Sequence, residues 1–222
     1  MNCKLRNSIL NRRIAALVGA LVLMVFGLSL TGLAAPTVYG PTGLMFVPTA
    51  DVLPNGGFNF GLHRMYESNY LTFNTSLLDN LEFGVTVVSW PGDSDAQANV
   101  KFRLLNETRQ GPALAVGVTD LTHDRGRDAY VVLTKSLPEF GFRGSIGIDS
   151  DGLIGGLSKE LNPVSIAKGG KRGTPGVTFL LDFNDAALSL GLGIGLTPEL
   201  RANVYLHDLD EAVVGVSYQA RF

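Results

Sequence analysis

The sequence predicts an all-β fold, a single antiparallel transmembrane β-barrel of about twelve strands of the outer-membrane type. Three observations favour this class: apolar residues alternate with period two, an export signal precedes them, and the last amphipathic strand ends on Phe222. Only 17% of the 222 residues are charged, whereas roughly 25% is usual in soluble domains. The alternative is a soluble, secreted β-sandwich or barrel with its apolar face inside.

Residues 1–34 have the organisation of a secretory signal peptide. Four basic residues precede an apolar run from Ile14 to Leu30, and small residues follow up to Ala34, after which we expect cleavage. Cleavage removes four of the 18 basic residues, so 14 remain against 20 acidic residues and the mature charge is −6. The alternative is an uncleaved anchor, because the apolar run is nearly long enough to span a bilayer.

Residues 35–56 form a separate segment ahead of the first strand. Pro41, Pro48 and Pro54 exclude a helix or a central strand. Leu44 and its apolar neighbours would be costly to leave in water. We therefore expect a periplasmic N-terminal segment that forms a plug or a short strand at the base of the barrel, with a flexible leader as the alternative.

Residues 57–222 carry the alternation that predicts the barrel. In one segment, leucine and isoleucine at even positions from 188 to 196 face away from serine and glycine at odd positions. Small and polar residues suit a crowded or wet lumen, and the apolar face suits lipid. The predicted strands are 57–66, 69–77, 81–89, 96–104, 112–120, 128–137, 141–149, 153–161, 175–183, 187–196, 201–208 and 213–222.

The C-terminal strand resembles the insertion signal of bacterial outer-membrane barrels. Val216, Tyr218 and Phe222 share its apolar face, and Phe222 is the last residue. This pattern predicts recognition by the barrel-assembly machinery and a location in the bacterial outer membrane, in contact with lipid and lipopolysaccharide.

Charge separates between the two predicted barrel ends. If both termini are periplasmic, that end holds 11 basic and 7 acidic residues, and the outer end holds 3 basic and 13 acidic residues. The basic end predicts a docking surface for an anionic polysaccharide or a periplasmic export partner. The alternative is plain solvation of two rims. The candidate docking residues are Arg103, Arg143, Lys159, Lys168, Lys171, Arg172 and Arg201.

Catalytic and cofactor signals are missing from the sequence. Neither a Gly-x-Ser-x-Gly motif nor a complete phosphate-binding loop is present, and we interpret His63, His123 and His207 as solvated or lumen-filling side chains. The single cysteine, Cys3, excludes an internal disulfide and a Cys/His metal cluster. We expect no enzyme activity, no cofactor or metal and no nucleic-acid partner.

The sequence contains the segments Thr42-Gly43-Leu44, Pro48-Thr49-Ala50 and Leu53-Pro54-Asn55-Gly56, followed by residues 78–85, 99–105 and 112–121. Together these segments resemble the YjbH-like outer-membrane proteins of exopolysaccharide biosynthesis. The resemblance implies an outer-membrane barrel that is an accessory component of exopolysaccharide biosynthesis or export, and it brings no catalytic residues. The alternative function is a general small-solute porin or a passive structural barrel.

Overall fold

Twelve antiparallel strands follow one another, and each pairs with the strand before it and the strand after it. Strand β1 pairs with β12, so the sheet closes into a barrel. The computed structural model describes residues 35–122, 126–161, 176–184 and 187–222. The strands are β1 Gly57–Met65, β2 Ser68–Leu78, β3 Leu81–Trp90, β4 Asp93–Leu105, β5 Ala113–Thr119, β6 Asp128–Leu137, β7 Phe142–Ile148, β8 Leu153–Glu160, β9 Val177–Asn184, β10 Ala187–Gly195, β11 Leu200–His207 and β12 Glu211–Arg221.

The two faces of the sheet have the predicted polarity. In β1, Asn59 and His63 are completely buried on the inside, whereas Phe60 and Leu62 are 41% and 44% exposed on the outside. A polar interior inside an apolar outer surface is the arrangement of a transmembrane barrel. The predicted fold class and strand number are therefore confirmed. Within the described ranges, no helix is long and apolar enough to cross a membrane.

The strand boundaries differ most from the prediction at the β3–β4 hairpin. The sequence predicts a turn over residues 90–95, but Trp90 pairs directly with Asp93. The intervening Pro91 and Gly92 make a tight turn in which Gly92 has a φ of 89°. Proline followed by a residue with positive φ is typical of a type II turn. Because this turn is tight, both strands continue beyond the residues that show apolar alternation.

The barrel has two distinct ends, which we name by their strand termini. At the proximal mouth β1 begins and β12 ends, where Gly57 pairs with Arg221. At the distal mouth β1 turns into β2, where Met65 pairs with Ser68.

Residues 35–56, which we call the luminal segment, lie inside the barrel. The segment folds back on itself: the Val38 N–H donates to the Met45 carbonyl over 2.8 Å, and the Leu44 N–H donates to the Val47 carbonyl over 3.0 Å. Val38, Met45 and Val47 are almost completely buried. The buried core of the protein is therefore built between this segment and the inner face of the wall.

Candidate functional site

A buried ion pair in the wall holds the middle of the luminal segment. The Lys101 Nζ lies 3.6 Å from the Glu82 Oε1, and the two side chains are 1% and 2% exposed. Glu82 accepts hydrogen bonds from the Thr42 N–H at 2.9 Å, the Thr42 hydroxyl at 2.8 Å and the Leu53 N–H at 3.1 Å. Lys101 donates to the Thr42 carbonyl at 2.8 Å and also contacts the Thr42 hydroxyl. Both charges are thus compensated by each other and by the segment.

A second carboxylate, Asp182 on β9, binds the bend of the luminal segment. Its Oδ2 accepts hydrogen bonds from three consecutive backbone N–H groups, those of Met45 at 3.0 Å, Phe46 at 2.8 Å and Val47 at 3.2 Å. Consecutive N–H groups that converge on one oxygen form a concave anion-binding site. Asp182 therefore satisfies backbone donors that would otherwise be buried without partners.

Neutral side chains of the wall complete the attachment on other sides of the lumen. The Ala50 N–H donates to the Thr134 hydroxyl at 2.8 Å, and the Asn74 amide donates to the Gly40 carbonyl at 2.6 Å. These contacts come from β6 and β2, whereas Glu82 and Asp182 come from β3 and β9. The luminal segment is thus fixed from opposite sides of the barrel.

Aromatic side chains pack where the luminal segment approaches the distal mouth. Tyr39 lies against Tyr70 and Phe46, with ring centroids 5.9 Å and 5.7 Å away, and Phe46 contacts the ring of His207 at 4.4 Å. Burial, together with the nearby Tyr70, raises the pKa of Tyr39 to about 12. Burial in this cluster therefore disfavours the charged tyrosinate form.

Glycines in the wall leave room for this segment. A side-chain carbon at Gly191 would meet the Met45 sulfur and the Tyr205 ring, and one at Gly156 would meet Leu44. From the sequence alone, the glycines of β10 fit either an open lumen or a flattened barrel. In the structure, the space beside Gly191 is filled by Met45.

A partly buried ionic contact joins the luminal segment to the wall near the proximal mouth. Arg143 on β7 donates through Nε and Nη2 to the Asp51 carboxylate, at 3.0 Å and 2.6 Å. Its Nη1 donates to Glu107 at 2.6 Å and to the Ser136 hydroxyl at 2.5 Å. The guanidinium group is thus shared between one carboxylate of the segment and one of the β4–β5 loop.

Two cavities lie on opposite sides of the luminal segment. The proximal cavity, of about 930 Å³, is lined by Thr49 and Asp51 of the segment. The distal cavity, of about 290 Å³, is lined by Tyr39 and Phe46. Its wall includes the carboxylates of Asp120, Asp128, Asp149 and Asp151. The segment therefore separates a space at one mouth from a space at the other.

The structure brings together three of the seven basic residues predicted to form a docking surface. Arg143, Lys159 and Arg201 line the proximal cavity. Arg103 lies apart and donates through its Nη2 to the Asp79 carbonyl at 2.6 Å. Lys168, Lys171 and Arg172 lie outside the described residues. Docking of an anion at this surface stays a prediction.

The structure describes two of the three histidines considered as candidate catalytic residues. His63 and His207 lie on the inner face, and the His207 Nδ1 is 3.2 Å from the Ser189 hydroxyl. His123 and the predicted signal peptide, residues 1–34, lie outside the described residues. Among the described residues, no group of three or more His, Cys, Asp or Glu side chains is placed to hold a metal ion.

The predicted insertion signal lies on the outer surface at the seam of the barrel. Val216 pairs with Leu62 of β1, and Tyr218 pairs with Phe60. The Phe222 ring stacks on Phe58 with centroids 5.6 Å apart. The C-terminal aromatic residues therefore contribute to the closing contact between the first strand and the last.

A closed twelve-stranded wall with an apolar outside and a polar, occupied inside defines a transmembrane barrel similar to the outer-membrane porin type. The chain belongs to the YjbH family, described as exopolysaccharide biosynthesis protein YbjH, whose model matches residues 36–176. The match begins with the luminal segment and continues through β8. The resemblance seen in the sequence is thereby confirmed.

A solved structure described as a porin supports the barrel fold at low sequence identity. A structure described as KdgM porin has a TM-score of 0.53 and 8% identity, and the match covers 73% of this chain and 98% of that one. The outer-membrane protein Omp33 of Acinetobacter baumannii has a TM-score of 0.47 and 11% identity, with 75% and 97% covered. No curated protein matches the chain significantly.

Proposed function

We propose that this chain is a barrel of the bacterial outer membrane that serves as an accessory component of exopolysaccharide biosynthesis or export. Its membership of the YjbH family is the observation that carries this proposal. The proposal includes no catalytic step and no cofactor. Its partners are outer-membrane lipid and lipopolysaccharide, the barrel-assembly machinery, and an anionic polysaccharide or a periplasmic export partner.

The occupied lumen supports a gated or closed role over permanent diffusion. Buried contacts from Glu82, Lys101 and Asp182 hold the luminal segment in place. Unpaired charges in this interior would be costly, so the closed arrangement is the stable one. The alternative, a general small-solute porin or a passive structural barrel, is supported by the likeness of the wall to a porin, which concerns the fold alone.

Gene deletion tests the proposed function directly. We expect the deletion strain to secrete less exopolysaccharide, and a plasmid copy of the full chain to restore secretion. The chain should fractionate with the outer membrane and change its gel mobility when boiled. Normal secretion in the deletion strain would contradict the export role.

Conductance in planar bilayers distinguishes the alternative. The purified full chain should stay mostly closed, because the luminal segment fills the barrel. A steady, ion-permeable pore together with unchanged exopolysaccharide secretion would favour the porin.

A further inference from the structure

The charged contacts between the luminal segment and the wall differ sharply in exposure. The carboxylates of Glu82 and Asp182 are almost completely buried. In contrast, Asp51 and Arg143 are each 30% exposed and both line the proximal cavity. Among the ion pairs that join the luminal segment to the wall in the described parts of the chain, this pair is the one that a ligand in the proximal cavity can reach.

The geometry of Arg143 allows one of its carboxylate partners to be exchanged. Asp51 occupies the Nε and Nη2 edge, while Glu107 and Ser136 hold Nη1. If Asp51 leaves, Glu107 and Ser136 still position the guanidinium group. The free edge then presents two parallel N–H donors, the arrangement that binds a carboxylate with two hydrogen bonds.

The proximal cavity has the size and chemistry of a saccharide site. Its volume of about 930 Å³ lies in the range of small-ligand sites. Phe140 offers an apolar ring at the rim of the cavity, and Arg201 adds positive charge.

We propose that the proximal cavity binds a carboxylate-bearing saccharide, whose carboxylate replaces Asp51 on Arg143 and thereby loosens the luminal segment. This inference rests on the proposed function, because it names the class of polymer that the barrel serves. It also assigns the ligand a second role, as the signal that opens the lumen.

Competition between Asp51 and the ligand carboxylate for Arg143 lowers the affinity that we expect for the ligand. Asp51 is tethered beside Arg143, so it competes at a high effective concentration, in the millimolar range for a flexible tether. The ligand must displace it, and binding to the unmodified chain is therefore weak. Removing the Asp51 charge should strengthen binding, whereas removing the Arg143 charge should abolish the specific contact.

Binding is tested with the full chain in detergent micelles, with trimannuronate as the acidic probe and mannotriose as its neutral counterpart. Asp51→Asn should bind trimannuronate about tenfold more tightly and Arg143→Gln about tenfold more weakly than the parent, since charge-assisted bidentate contacts are strong. Arg143→Lys keeps the charge but loses the planar fork of N–H donors, so its affinity for trimannuronate should lie between those of the parent and Arg143→Gln. Mannotriose should bind none of these proteins measurably.

Arg109→Gln is the matched control, because it removes the same charge from an exposed position on the β4–β5 loop outside the cavity lining. Its affinity for trimannuronate should equal that of the parent. Equal losses in Arg109→Gln and Arg143→Gln would show general charge attraction and overturn the proposed site.

Loosening of the segment is measured with a cysteine at the fully buried position Ala50. Ala50→Cys is made in a chain that also carries Cys3→Ala, and a small water-soluble thiosulfonate reports its exposure. Trimannuronate should speed the labelling about fivefold or more, because it raises the population with the segment displaced. Labelling that trimannuronate leaves unchanged, despite binding, would overturn the opening step.

The results separate this inference from the proposed function. If the deletion strain secretes normally but Arg143-dependent binding and labelling are observed, the export role fails and the saccharide site stands. If secretion falls on deletion but trimannuronate does not bind Asp51→Asn, the site is wrong and the export role stands.

Discussion

The backbone N–H of Phe46 lies 2.8 Å from the Asp182 carboxylate, although 136 residues separate the two in sequence. This contact shows how the wall specifies the position of the luminal segment. A carboxylate needs donors when buried, and three N–H groups at a bend need an acceptor, so each satisfies the other.

Replacing Asp182 should loosen the bend at Met45–Val47. In Asp182→Asn the acceptor is uncharged. A hydrogen bond to a charged group contributes roughly 1.5–3 kcal/mol and one to a neutral group contributes less, so each of the three bonds should weaken. Amide exchange at these three residues should accelerate by about tenfold or more. Hydrogen–deuterium exchange mass spectrometry measures this. Asp208→Asn, at an exposed distal turn, is the control, and equal rates in the two variants would refute the anchoring role.

Removing one member of the buried ion pair should displace the luminal segment while the wall remains closed. Lys101→Met leaves Glu82 without its cation, at a cost of about 3–5 kcal/mol. The double variant Glu82→Gln/Lys101→Met should be closer to the parent, because no charge is left unpaired. Thiol labelling at Ala50→Cys measures the displacement, and heat-modifiable gel mobility checks the wall. A double variant that labels faster than Lys101→Met would contradict this account.

Deleting residues 36–53 should convert the chain into an open channel. Eight-stranded barrels are filled by their own side chains and barrels of 16–18 strands enclose water, so a twelve-stranded wall without its filling leaves space. Single-channel recordings should show sustained conductance for the deletion and little for the full chain. If the two proteins conduct equally, the segment does not close the lumen.

Deleting Phe222 should lower assembly yield. The residue stacks on Phe58, and its N–H donates to the Gly56 carbonyl at 3.0 Å, so it fastens the last strand to the start of the first. Quantitative blotting of outer-membrane fractions should show less protein and more degradation. Phe222→Trp, which keeps an aromatic ring, should preserve the yield. An unchanged level after deletion would argue against a role of the C-terminal residue in insertion.

Acid should weaken the Glu107 contact with Arg143. Burial acts to raise the pKa of Glu107, but hydrogen bonds from the Ser136 N–H and from Arg143 outweigh it and hold the pKa below its usual value. A lowered pKa means that the contact stabilises the fold above the unfolded value of about 4.3 and is lost as pH falls through the lower folded value. The thermal unfolding temperature of the parent should therefore fall on acidification, and that of Glu107→Gln should fall less. Identical pH profiles would refute the assignment.

The wall was predictable from the sequence because its signal is local. In β10, leucine and isoleucine alternate with serine and glycine from Leu188 to Gly195, and this pattern determines both the strand and its two faces. The β3–β4 turn was misjudged because tight pairing beyond Pro91 and Gly92 requires no apolar residue.

The attachment of the luminal segment was not predictable in the same way. In the charge count by barrel end, Glu82 and Lys101 belong to the predicted periplasmic end and Asp182 to the outer end, whereas all three are buried in the lumen. A polar residue on the inner face has the same pattern whether it faces water or a bound segment. The sequence contains one indication: a lone charged residue within a strand is costly to bury, so it needs a partner nearby. The sequence does not identify that partner.

The distance along the chain between the luminal segment and its partners determines when it can fold. Its buried hydrogen bonds to wall side chains join residues from 29 apart, Leu53 with Glu82, to 137 apart, Met45 with Asp182. Such non-local pairing makes folding slow, because the loops must close before the contacts form. The segment is also synthesised before most of the strands that hold it. We therefore expect the segment to gain its native contacts only when the wall is nearly complete, so that the lumen is filled late in the maturation of this protein.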